Sequence, residues 1–174
     1  MKYRERKLEL YTLTTKWLNN YNKYFSSNSM LCSCNNSLYS TKNREHTLIA
    51  DNRKELFKYI LGILKNKKCH LYQIGGVTDH LHIITHLHPA TALADLIKDI
   101  KLASTAYIKS KVLFPEFNGW QDGYGAFTYS IEAKENLISY VKNQEVHHQK
   151  KTFLEEYTEL LQEHNIEYDE KYLL

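Results

Sequence analysis

The sequence predicts an α+β fold, an antiparallel sheet with helices packed on one face. Three observations carry this reading. Long stretches with apolar residues at helical spacing alternate with short stretches of strand character. Two of the short stretches, residues 69–74 and 77–87, are separated only by Gly75-Gly76, which reads as a hairpin turn. Helical stretches flank that hairpin on both sides. The resulting order, β-α-β-β-α-β-α, is the split β-α-β pattern of ferredoxin-like folds.

In chain order, residues 1–29 read as an N-terminal extension of partial order. Leu8, Leu10, Leu13, Trp17 and Leu18 suit a short helix, but an Asn/Tyr/Ser tract follows. Residues 30–174 read as the main domain. Residues 30–41 give a weak strand, with Leu31, Leu38 and Tyr39 set among Ser and Asn. A helix begins near Asn52, where Asn52 and Glu55 have capping-box spacing, and carries Leu56, Phe57, Ile60, Ile63 and Leu64. After the hairpin, Pro89 stops the strand. A second helix over 91–111 carries Leu93, Leu96, Ile97, Ile100, Ala103 and Tyr107. Glycines at 119–125 lead into an aromatic strand, and a third helix covers 133–149. Thr152 and Glu155 form a second capping box before Leu154, Tyr157, Leu160 and Leu161.

Composition bounds the function. The 174 residues carry a net charge of +3, with lysines gathered between 42 and 111 and acids between 155 and 170. A basic body permits a polyanionic partner without requiring one. Cys32, Cys34 and Cys69 read as reduced thiols. No apolar run reaches the roughly 18–20 residues that span a bilayer, and the N-terminus lacks a signal-peptide apolar segment, so the expected location is the cytoplasm.

The chemistry-bearing residues centre on Asp79-His80-Leu81-His82. On a strand His80 and His82 share a face, where two imidazoles can hold one cation. Incidental strand histidines are an equal alternative. His86 and His88 follow on that face, but His86 lies about 13 Å from His82 at strand rise, so both read as strand-end residues. Tyr140 and Gln144, four apart on a helix, share a face. Gln144 offers a carbonyl oxygen and Tyr140 a phenol able to act as a nucleophile. On residues alone, a packed tyrosine and a solvated glutamine are the simpler reading. His147 and His148 point apart, and one of them could contact a phosphate.

These motifs together resemble the single-tyrosine HUH transposases of bacterial insertion sequences. The resemblance rests on Asp79-His80-Leu81-His82, on Trp120-Gln121-Asp122-Gly123-Tyr124-Gly125-Ala126-Phe127, on the segment from Tyr140 through Gln144 to His148, and on the tail from Glu167 to Tyr172. It runs over residues 40–174. It implies an HUH version of the ferredoxin-like fold, with His80, His82 and Gln144 as ligands of a divalent metal, Mg²⁺ or Mn²⁺, and Tyr140 as nucleophile. The implied reaction cleaves and rejoins single-stranded DNA at insertion-sequence ends through a 5′-phosphotyrosine. The implied partners are single-stranded DNA with hairpin ends and a second copy of the chain, with an active site that two subunits can share. Lys98, Lys101, Lys109, His147 and His148 are candidate DNA contacts. A domesticated hairpin-binding protein and a replication or conjugation nickase are the competing readings. The polar segment Cys32-Ser33-Cys34-Asn35-Asn36-Ser37 departs from the apolar first strand of that family.

Overall fold

The protein is described here by a computed structural model covering residues 33–169 and Leu173. The extension expected over 1–29, with Leu31 and Cys32, lies outside the described residues.

Four strands form one antiparallel sheet in the order β2-β3-β1-β4. They are β1 (Ser33–Ser40), β2 (His70–Gly76), β3 (His80–His86) and β4 (Gly125–Ser130). The helices are α1 (Ala50–Asn66), α2 (Leu93–Lys111), α3 (Lys134–Lys142), α4 (Gln144–His147) and α5 (Phe153–Glu163). The α+β class and the antiparallel sheet match the expectation from sequence, and β1 occupies a central place.

The helices cover both faces of the sheet rather than one. In β1, successive side chains part company: Tyr39 joins the core beneath α1 and α2, while Leu38 packs with Phe127, Leu160 and Leu161 under α5. In β3, Ile83 goes to the first face and Ile84 to the second, where it meets Leu137 and Val141 of α3. A strand apolar on both faces needs cover on both. The adjacent Ile83-Ile84 pair is the sequence sign of this.

Local differences also have physical reasons. Gly75 and Gly76 are not the turn; they end β2, paired with His82 and Leu81, and residues 77–79 make the connection. Both glycines are required by close approach. A Cβ on Gly75 would strike the carbonyl oxygen and Cγ1 of Val141, and one on Gly76 the carbonyl oxygen of His80. Asn52 does not cap α1, whose N-cap is Ile49; its amide instead donates to the Leu113 carbonyl at 2.6 Å. The capping box of Thr152 and Glu155 does form, with both reciprocal bonds. The helix expected over 133–149 is interrupted at Asn143, with φ −99° and ψ 14°.

Candidate functional site

The two histidines of β3 point to the face covered by α3 and α5, and both are fully buried. Their orientation is set by neighbours on the sheet. His80 Nδ1 lies 2.8 Å from Asp79 Oδ1, and His82 Nδ1 lies 3.3 Å from Asn36 Oδ1. A carboxylate and an amide oxygen only accept, so each Nδ1 carries its hydrogen. A neutral ring then turns its Nε2 lone pair inward. The polar residue Asn36, buried in a central strand, thus belongs to the histidine pair.

Helix α3 reaches the pair by settling on Gly75. The break at Asn143 shifts Gln144 into α4, yet both expected residues converge. The Tyr140 hydroxyl donates to Glu156 Oε1, and Gln144 Nε2 donates to the same oxygen at 2.8 Å. The Tyr140 ring stands edge-on to His82, with centroids 5.7 Å apart. His80, His82, Tyr140 and Gln144 therefore meet in one place within a single chain.

Their meeting point, Glu156 of α5, is the residue that reading the sequence missed. Its carboxylate faces His82 Nε2 at 3.2 Å and His80 Nε2 at 3.5 Å, and accepts from His148 Nε2 at 2.8 Å. A signal was available. Glu156 lies three residues after Phe153 and four before Leu160, on the apolar stripe of its helix. A charged residue on that stripe is buried against convention.

The other expected contacts divide. His148 is spent on Glu156 and, through Nδ1, on the Lys151 carbonyl at 3.0 Å. His147 lies edge-on to Tyr140 at 5.2 Å. Lys101, half-buried, donates to the carbonyls of Gln121 and Gly123 and lies over the Tyr39 ring, so its ammonium already has partners within the protein. Lys98 and Lys109 are exposed on α2, across the sheet from the histidines. His86 closes β3 opposite His70.

The electrostatics are those of an anion walled in by imidazoles. Burial alone would raise the Glu156 pKa, but the hydrogen bond from His148 and the close imidazoles of His80 and His82 hold it well below the usual carboxylate range. Burial, then the Glu156 charge, pushes the Tyr140 phenol well up, so it is protonated at rest. Burial favours the neutral form of both histidines. It prevails at His82, whose pKa is lowered, while the hydrogen bond that His80 donates to Asp79 and the negative charges of Asp79 and Glu156 outweigh it at His80, whose pKa is raised.

The donors suit a divalent metal. Ligand atoms of His80, His82 and Glu156 lie within 4.8 Å of one another, all on buried residues. His80 Nε2, His82 Nε2 and Gln144 Oε1 are buried with no hydrogen-bond partner. Two imidazoles with hard oxygens are ligands of Mg²⁺, Mn²⁺ and similar ions.

The model of one protein family, "Transposase IS200 like", matches residues 36–144. That span contains the histidine pair, Tyr140 and Gln144 but stops before Glu156. Two solved structures resemble the fold. A candidate transposase from Deinococcus radiodurans R1 is 20% identical with TM-score 0.53, over 68% of this chain and 96% of that one. A REP-associated tyrosine transposase bound to a REP hairpin is 15% identical with TM-score 0.54, over 71% of this chain and 73% of the other. No curated protein matches the sequence.

Proposed function

Since the chain belongs to the IS200-like transposase family, a family of DNA-processing enzymes, we propose that it cleaves and rejoins single-stranded DNA at insertion-sequence ends with Tyr140 as nucleophile. The observation that carries this reading is the convergence of the Tyr140 hydroxyl and the His80–His82 pair on one buried carboxylate. A nucleophile and a cation-binding pair in one pocket form the minimum set for phosphodiester transfer.

His80 and His82 hold a divalent metal, Mg²⁺ or Mn²⁺, and Gln144 offers a further oxygen through its unpartnered Oε1. When bound, the metal polarises the scissile phosphate and offsets the charge developing on it. Tyr140, freed of its proton, attacks the phosphorus. The Tyr Oη–P bond forms, the P–O3′ bond breaks, and the 3′ oxygen leaves with a proton as a free hydroxyl. The phosphotyrosine keeps the bond energy, so a 3′-hydroxyl can later displace Tyr140 and restore a phosphodiester without a nucleotide cofactor. Burial of the pocket excludes the water that would hydrolyse the link.

Asp79 and Asn36 fix the imidazole tautomers, and His148 steadies Glu156. Hairpin DNA is the expected ligand. The REP-hairpin complex of a structural relative is in keeping with this. Exposed Lys98 and Lys109 are candidate backbone contacts. The working unit is a cytoplasmic homodimer. Among the described residues no helix is long and apolar enough to cross a membrane.

The test is incubation of the protein with single-stranded hairpin ends and Mg²⁺ or Mn²⁺. Wild type yields a covalent adduct and a free 3′-hydroxyl, and Tyr140→Phe yields neither. Equal cleavage by the two proteins would sink the assignment. Mixing Tyr140→Phe with His80→Ala subunits addresses sharing: restored cleavage means that sites are built across the dimer.

A further inference from the structure

Glu156 stands apart from the other residues around the histidine pair. It comes from α5, beyond the strand and helices that carry His80, His82, Tyr140 and Gln144. Its residue is 1% exposed, a costly place for a carboxylate. Hydrogen bonds from Tyr140, Gln144 and His148 satisfy one side of it. The histidine side is different. His82 Nε2 lies 3.2 Å from Oε1 and His80 Nε2 3.5 Å from Oε2, yet neither nitrogen makes a hydrogen bond. With each Nδ1 donating elsewhere, each ring in its neutral, metal-binding form presents a lone pair to a carboxylate that has only lone pairs to return. Ligand atoms about 2.0–2.2 Å from one ion stand roughly 3.0–3.5 Å apart in octahedral or tetrahedral arrangement. The observed spacings are of that size, and a cation resolves the repulsion.

We infer that Glu156 is a protein ligand of the same cation as His80 and His82, delivered by the C-terminal helix. The inference rests on the metal reading above and adds to it an anionic oxygen donor from another part of the fold. Gln144 Nε2 and His148 Nε2 act as positioning groups that aim the carboxylate. The ion is a hard or borderline divalent cation taking two nitrogens and carboxylate oxygen, with positions left for phosphate oxygen or water. Its binding ties α5 to β3. A site made only from β3 and the Tyr140–Gln144 segment would leave α5 indifferent to metal.

The full-length protein is titrated with Mn²⁺, and free Mn²⁺ is read by electron paramagnetic resonance. Glu156→Gln is expected to weaken Mn²⁺ binding at least tenfold, in the direction of His80→Ala. Wild-type affinity in Glu156→Gln overturns the inference while leaving the metal reading intact. A wild type that binds no Mn²⁺ overturns both, and the Tyr140 adduct assay shows separately whether the transposase reading stands. Hydrogen exchange on the unmodified protein provides a measurement that needs no variant to fold. Mn²⁺ is expected to slow exchange across Phe153–Glu163 as well as across β3. Protection confined to β3 and α3 would overturn the inference.

Discussion

Gly75→Ala tests how the tyrosine helix is seated. Gly75 ends β2 opposite His82, on the face that receives α3. An added Cβ would lie 2.9 Å from Val141 Cγ1 and closer still to the Val141 carbonyl oxygen. Carbon–carbon contacts settle at about 3.5–4.0 Å, so the neighbour must retreat by roughly 0.6–1 Å. A side chain could rotate away, but the carbonyl is backbone, so α3 must move as a body and take Tyr140 with it. Overpacking of this kind costs about 1–3 kcal/mol, or roughly 3–10 °C in melting temperature for a domain of this size. Displacing a reacting group by about 1 Å costs on the order of 100-fold in rate. The assay is single-turnover formation of the covalent adduct on a hairpin end, with thermal melting in parallel. Gly62→Ala is the matched control. Gly62 lies within α1 with nothing within 4 Å of its would-be Cβ, so alanine there should stabilise by about 0.5–1 kcal/mol and leave the rate unchanged. If Gly75→Ala melts with wild type and forms adduct at its rate, the argument that this glycine seats the catalytic helix is wrong.

Burial, with the charges of His86 and Lys134, lowers the His70 pKa to about 4. A depressed histidine pKa means that the unfolded chain binds the proton first. Its stabilising effect is complete above about pH 6.5 and is lost as pH falls toward 4. Between pH 7 and pH 5 that loss is about 2 kcal/mol. Urea unfolding at the two pH values should show wild type losing about that much more than His70→Gln, and equal losses would refute the assignment. Thr152→Ala removes the N-cap of α5, whose side chain accepts from the Glu155 N–H, and should cost about 1 kcal/mol in denaturant melts. Ser104→Ala strips the acceptor from Trp120 Nε1, held at 2.9 Å in the core. An indole N–H left unpaired should cost about 1–3 kcal/mol, visible as a lower urea midpoint.

The helices were legible because α1 and α2 carry unmixed helical periodicity, and β3 because it is a short apolar run bounded by turn residues. Leu56, Ile60 and Leu64 repeat at four, and all are buried as their spacing requires. Elsewhere the local signals misled. Gly75-Gly76 has the composition of a turn, and only the approach of Val141 from a distant helix explains why glycine ends a strand there. Asn52 and Glu55 have cap spacing, but Asn52 found the Leu113 carbonyl across the fold. In the candidate site, strand alternation put His80 and His82 on one face, whereas Tyr140 and Gln144, far along the chain, were joined to them only by the family resemblance. Glu156 was not read, because its partners lie up to 76 positions away and no local pattern joins them. Its place on an apolar stripe was the available clue, and it needed the tertiary fold to become a meaning.

The oddities of the sequence share one address. Asn36 in a central strand, Gly75 at a strand end and Glu156 on an apolar stripe each break a local rule, and each lies one contact from His82 or from the helix that faces it. Packing against Val141 accounts for Gly75, but folding alone gives no reason for Asn36 or Glu156. Buried ionic clusters are often matched or improved in stability by apolar residues of similar volume, whereas removing a single partner is costly because it strands the remaining charge. Leucine in place of Asn36 and Glu156 would hold the two layers together at least as well. What leucine could not do is present two imidazole lone pairs, a carboxylate and a phenol to one point. The departures from good folding practice therefore outline the part of the molecule that chemistry, rather than stability, accounts for. They extend past the tyrosine helix into α5, so under the proposed function the site draws on α5 as well as on the strand that bears the histidines.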